Sequence, residues 1–154
     1  MIRSTIVAAG LLAAGASAAA PDLVRVPTDI TFASGHCSLL VISGKTMNCG
    51  DAILSLHYDD GQRSMAVKTD DGLVSFFGMP DADGIALSKV TGVRPGDTAA
   101  QVTSAAQNIT GRCTPALIVA KTEITCQATT ADGGRYAFDF TTDEKAPETQ
   151  PFGK

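Results

Sequence analysis

Four cysteines constrain this chain more than any other feature. Cys37 and Cys49 stand twelve residues apart, a long gap follows, and Cys113 and Cys126 then stand thirteen apart. An even number of thiols in a chain with an export leader reads as a disulfide framework. Pairing near neighbours, Cys37 with Cys49 and Cys113 with Cys126, closes two short loops, each worth about 3 kcal/mol through the entropy removed from the unfolded chain. A tetrahedral metal site is the rival reading, but such sites draw on tight CxxC pairs and the sequence has none. The same absence removes dithiol redox chemistry and haem attachment.

The leader is read from residues 1 to 18. Arg3 supplies the single positive charge, an uncharged stretch through Ile6, Val7, Leu11 and Leu12 follows, and Ala16, Ser17 and Ala18 form a small-residue cleavage triplet. The uncharged run is too short and too rich in Ala and Gly for a bilayer-spanning helix. A cut after Ala20 would put Pro21 in the peptidase's extended binding mode, where a ring-locked φ and a missing N–H fit poorly, so the cut is expected after Ala18. No cysteine lies near it to carry a lipid. The expected organisation is a signal peptide at 1–18, one β-rich domain over 19–142 and a disordered tail over 143–154. That tail is rich in charge and broken by Pro147 and Pro151. The compartment this implies is the periplasm or the medium, with no membrane attachment after cleavage.

Reading outward from the two cysteine pairs gives an ordered set of matches. Asp29, Ile30 and Thr31 correspond to Asn108, Ile109 and Thr110; Gly35, His36 and Cys37 to Gly111, Arg112 and Cys113; Lys45 and Thr46 to Lys121 and Thr122; and Asp60, Gly61 and Arg63 to Asp132, Gly133 and Arg135. These define two pseudo-repeated units, at about 29–69 and 108–142. Two copies are too few for a solenoid, so a packed pair of β-units is expected.

Local patterning supports strands. Ala52, Leu54, Leu56 and Tyr58 alternate with Ile53, Ser55 and His57, and Asp59, Asp60 and Gly61 then signal a turn. Met65 and Val67 mark a second strand, Leu73 to Phe77 a third and Ile85 to Val90 a fourth, with a loop expected over 78–84 around Pro80. The second unit is expected to place strands at Leu117 to Val119, Glu123 to Ala128 and Arg135 to Phe140. Thr98 and Gln101 have the spacing of a capping box, which puts a short helix near 98–107. If Cys37 faces Cys49 across a hairpin, a three-residue turn centres on Ser43. If Cys113 faces Cys126, the centre falls between Val119 and Ala120, where a longer loop must intervene. The fold class is therefore mainly β, an antiparallel sandwich or partly open barrel of two disulfide-bridged hairpin units with one short helix.

Chemistry is sparse. A net charge of −4 argues against nucleic-acid partners, whose phosphates are held by excess Lys and Arg. With no Trp and two Tyr, a stacking platform for bases or sugars is thin. Gly44, Lys45 and Thr46 end like a phosphate loop, but Leu39 stands where its first glycine is needed. There is no GxSxG for a serine nucleophile. Of the two histidines, His36 reads as a solvated rim residue matched by Arg112, whereas His57 with Asp59 or Asp60 could form an acid–base pair. Asp81 and Asp83 suggest calcium but lack further oxygen ligands and read as turn chemistry. Arg63 and Arg135 could pair with the acids of their turns or with a ligand carboxylate. No catalytic, cofactor or metal residues are assigned. The expectation is a non-enzymatic binding or envelope-accessory module for a protein or small-molecule ligand; a small extracytoplasmic enzyme centred on His57, or a metal-binding protein, is the alternative. Intact-mass measurement of the exported protein should show an N-terminus at Ala19, and a mass that retains 1–18 would contradict the leader assignment.

Overall fold

The computed structural model describes residues 25–153, so the leader and its cleavage point lie outside the described residues. Ten strands and one helix follow in order: β1 Asp29–Ile42, β2 Lys45–Thr46, β3 Ala52–His57, β4 Arg63–Thr69, β5 Gly72–Asp81, β6 Gly84–Val93, α1 Ala99–Ser104, β7 Gln107–Thr114, β8 Glu123–Thr129, β9 Arg135–Thr142 and β10 Glu148–Pro151. Eight of them, β1 and β3 to β9, form an antiparallel up-and-down meander, and β1 pairs with β9 to close it into a barrel. The expected class is confirmed, and the barrel is closed rather than partly open.

Strand β1 makes closure possible. Its first half pairs with β3 on one edge and β10 on the other, from Asp29↔His57 and Asp29↔Pro151 upward. Its second half pairs with β9, from Gly35↔Thr142 to Val41↔Ala137, with a bulge between Cys37 and Leu39. The bend sits at Gly35, where a Cβ would lie 2.1 Å from the Thr141 carbonyl oxygen. Gly111 faces the same restriction on β7, 2.0 Å from the Gln127 carbonyl oxygen. These two glycines are matched positions of the proposed repeat, and at both only a bare backbone lets the neighbouring strand approach.

Period-two alternation sends Leu40, Ile53, Met65, Val67, Phe76, Ile85, Ile124, Phe138 and Phe140 inward, all with no measurable exposure. Phe76 and Phe138 meet with ring centroids 5.2 Å apart. An eight-stranded barrel is just wide enough for its side chains to fill it, and across its middle this one is filled.

Both disulfides pair as expected, Cys37 with Cys49 and Cys113 with Cys126. Their settings reverse the expectation about which hairpin is regular. Cys113 directly faces Cys126 across β7 and β8, with Cα atoms 4.0 Å apart, and the longer connection runs over 115–122. Around Ser43 the hairpin has two turn residues, Ser43 and Gly44, both at positive φ, and its register is Val41↔Thr46. Cys49 therefore lies beyond β2, in the irregular segment before β3, and its disulfide pins that segment to β1. The two units are not built alike. Five steps around the meander separate β1 from β7, so these matched strands run in opposite directions.

Three further expectations are corrected. The 78–84 segment is mostly strand, with only Ala82 and Asp83 between β5 and β6. Beyond Gly78, β5 no longer pairs with β4, so Pro80 sits on a free edge where a missing N–H is tolerated. Leu117 to Val119 is loop: Ile118 turns into the core while Leu117 and Val119 face solvent. The tail over 143–154 is ordered in part, because β10 finds an open edge of β1 and Thr149 and Thr31 share a 2.8 Å hydroxyl hydrogen bond. Backbone pairing, which takes little account of side-chain polarity, outweighs the composition there. The helix is where expected, with Thr98 and Gln101 forming the reciprocal capping box.

Peptide mapping without reductant should recover Cys37–Cys49 and Cys113–Cys126. Replacing Cys113 and Cys126 together by alanine should cost about 3 kcal/mol in denaturant unfolding, and a difference under 1 kcal/mol would show that the strand pairing holds without the bond.

Candidate functional site

The two ends of the barrel differ. At one, the loop end, residues 115–122 fold back across the mouth. Thr142 Oγ1 donates to the Val119 carbonyl at 2.6 Å, the Lys121 N–H donates to the Asp143 carbonyl at 2.9 Å, and Arg63 Nη1 donates to the Ala116 carbonyl at 3.0 Å. At the other, the helix end, α1 leans on β6, where the buried Thr91 hydroxyl donates to the Val102 carbonyl at 2.9 Å.

His57 lies at the loop end and does not meet the acids expected of it. Its Nδ1 is 2.8 Å from Asp29 Oδ1, its direct cross-strand neighbour on β1. Asp59 and Asp60 point away and share Arg25 as an ion-pair partner. Nearness in sequence misleads because a strand's cross-strand neighbour is closer than the turn that follows it. Arg63 is the partner of His57 on the opposite edge, so Asp29, His57 and Arg63 form one inward-facing row across β1, β3 and β4. One step inward on β3, the Ser55 hydroxyl is buried without a hydrogen-bond partner. Asp29 carried no signal of its own in the sequence; it becomes visible only when β1 is laid against β3.

The remaining candidates are placed as follows. His36 is exposed on the rim. Arg63 is spent on the Ala116 carbonyl, and Arg135 is exposed while Asp132 accepts from the Thr130 hydroxyl. Asp81 Oδ1 accepts from both Arg112 Nη1, at 2.5 Å, and the Asp83 N–H, at 2.9 Å. Among the described residues no three His, Cys, Asp or Glu side chains gather in a way that could hold a metal ion. No helix among them is long and apolar enough to cross a membrane.

Two concavities stand out. At the loop end, an open hollow of about 530 Å³ lies between the β5–β6 turn and the 115–122 loop, with Pro115, Ala116 and Leu117 on one side and Asp83 and Glu123 on its walls. At the helix end, a cup of about 380 Å³ opens over Ile42, Met47, Leu73 and Val74, and a recess of about 100 Å³ lined by Val90 and Tyr136 continues inward. Exposed large apolar side chains are distributed unevenly. Of seven among the described residues, Val26, Phe32, Met79, Leu117, Val119 and Phe152 belong to the loop-end half and Met47 to the other. No local pattern announces this, since the six come from five separate segments.

Comparison with family models, with curated proteins and with solved structures returns no match. Function must therefore be reasoned from this chain's own geometry.

The Arg112 guanidinium, with the Asp83 N–H, holds the Asp81 carboxyl below the usual carboxylate range. A depressed folded-state value means the pairing is fully present above the ordinary carboxylate range and is lost as pH falls through the lowered value. In an NMR titration Arg112→Ala should raise the Asp81 midpoint, and an unmoved midpoint would refute the pairing.

Proposed function

We propose that the protein is an exported, non-enzymatic binding module that docks a partner protein of net positive charge on the loop end of its barrel. The observation that carries this reading is the gathering of exposed apolar side chains at that end, six of the seven among the described residues, beside an open hollow with acidic walls. Exposed apolar side chains concentrated at one end and flanked by polar groups mark a candidate interaction surface, and Leu117 lines the hollow itself. Among the described residues Asp83 and Glu123 flank the hollow with no ion pair of their own, though Asp83 lies in the field of Arg112, and the chain carries a net charge of −4, so its field favours basic partners. The filled barrel interior supports the same reading, because the loop end offers no route to a lumen. Two disulfides fit an oxidising compartment, the periplasm or the medium.

A second reading has one specific observation behind it. His57 Nδ1 bonded to Asp29 at 2.8 Å, with the imidazole about a quarter exposed, is the geometry of an oriented general base. An extracytoplasmic enzyme would use that pair, in place of His57 with Asp59 or Asp60.

A strain lacking the protein separates the two readings when complemented with variants. Leu117→Ser with Val119→Ser should abolish rescue and retention of a partner on the immobilised protein, while His57→Ala should rescue normally. Normal rescue by the loop variant together with failure of His57→Ala would overturn the binding reading in favour of catalysis.

A further inference from the structure

The barrel interior is close-packed through its middle, yet it opens at the helix end. Gly92, which has no side chain, contributes to this opening. Gly92 lies on β6 directly opposite Val74, in the inward row next to the Phe76↔Val90 pair. Along that row each strand offers a side chain, and here there is none. A Cβ built at Gly92 would meet only the Leu73 carbonyl oxygen, at an ordinary contact distance of 3.9 Å, and so would fit without displacing a neighbour. By contrast, Gly35, Gly78 and Gly111 are forced by carbonyls 2.0 to 2.1 Å from their notional Cβ atoms. Gly92 is not among the residues at positive φ either. Neither crowding nor backbone conformation demands glycine at this position. Gly92 lines the recess of about 100 Å³, bounded also by Ile42, Val74, Val90, Tyr136 and Ala105, which continues the wider cup above it.

We propose that this cup is a binding site for a small, uncharged, predominantly apolar molecule, with a ring or short alkyl group seated in the recess that Gly92 leaves. This site is separate from the protein-docking end proposed above. The recess walls are mostly aliphatic, with Thr91, Gln107 and Tyr136 as the polar residues; the Tyr136 hydroxyl is bonded to Ser43 Oγ at 2.7 Å and the Thr91 hydroxyl donates to the Val102 carbonyl at 2.9 Å, and in the cup above Gln101 Oε1 accepts from the Thr98 N–H at 2.8 Å. The rim carries both signs, Arg94 against Asp71 and Asp97, a balance of one negative charge that disfavours anions. Apolar walls with few oriented polar groups and a volume of a few hundred Å³ are the ordinary setting for small-ligand binding. Ala105, at the end of α1, borders both the cup and the recess, so a bound molecule would touch the helix as well as the sheet.

The probe is N-phenyl-1-naphthylamine, a neutral apolar fluorophore, titrated into the full chain with emission recorded. Saturable enhancement is expected, weakened at least tenfold by Gly92→Leu, which fills the recess, and left unchanged by Ser88→Ala, an exposed position on the same strand. Ala105→Phe closes the cup from the helix side and should weaken the probe to a similar extent, so a folding failure of one variant leaves the other to decide. Far-ultraviolet circular dichroism and thermal melting check that each variant is folded. Absence of saturable binding by the unaltered protein, or unchanged binding by folded Gly92→Leu or Ala105→Phe, would overturn the proposal.

Discussion

Every other feature of the structure depends on β1 being long enough to pair with β3 through its first half and with β9 through its second. Fourteen residues long, it gives its first half to β3 and β10 and its second half to β9, changing partners at Gly35. Antiparallel meanders ordinarily leave two edge strands with unpaired N–H and C=O groups, which invite association with other chains. Here the first strand meets the last, so the eight-stranded path closes, and the free stretches that remain include the first half of β1, where β10 adds, and the end of β5 at Pro80. Any side chain at Gly35 would collide with the Thr141 carbonyl and push β9 away, which would open the sheet and expose the apolar row inside it.

Closure also decides where function can be. A closed barrel of this size is occupied by its own side chains, and Phe76, Phe138 and Phe140 take up its centre. Ligands and partners are thereby directed to the two ends, and the chain has treated these differently. The 115–122 loop is drawn over one mouth by hydrogen bonds from Arg63, Lys121 and Thr142, leaving apolar side chains outside. The other mouth keeps a recess where Gly92 contributes no side chain. The two disulfides divide their work along similar lines. Cys113–Cys126 clamps the strand pair that carries the closing loop, whereas Cys37–Cys49 anchors the irregular stretch that brings the chain from β2 into β3.

Legibility in the sequence varied with the range of the physics involved. The capping box at Thr98 and Gln101, the alternation from Ala52 to His57 and the turns at Asp60–Gly61 and Asp132–Gly133 depend on neighbours a few residues away, and they were readable. So was the cysteine pairing, because short loops cost little entropy to close. His57 shows where this stops. Its partner, Asp29, lies nearly thirty residues earlier, and only the register of β1 on β3 brings them within 2.8 Å. The tail misled for a related reason: its charges and prolines argue against packing, but β10 needs only a free edge to pair with, and β1 has one. The β7 strand was obscured because its inward residues, Ile109, Gly111 and Cys113, include a glycine that breaks the apolar pattern at the point where the strands crowd.

Taken alone, the residues determined that this chain would be mainly antiparallel β, joined by short polar turns, and that its cysteines would bond to their near neighbours. Those outcomes follow from period-two alternation, turn chemistry and loop entropy, all of which act over short stretches of chain. Tertiary structure decided that the sheet closes, that β1 supplies both edges of the closure, which acid faces His57, and which end of the barrel is covered. Each of these requires two distant segments to share a register, and register is set by how all eight strands fit together around one core, a condition no local window of sequence contains.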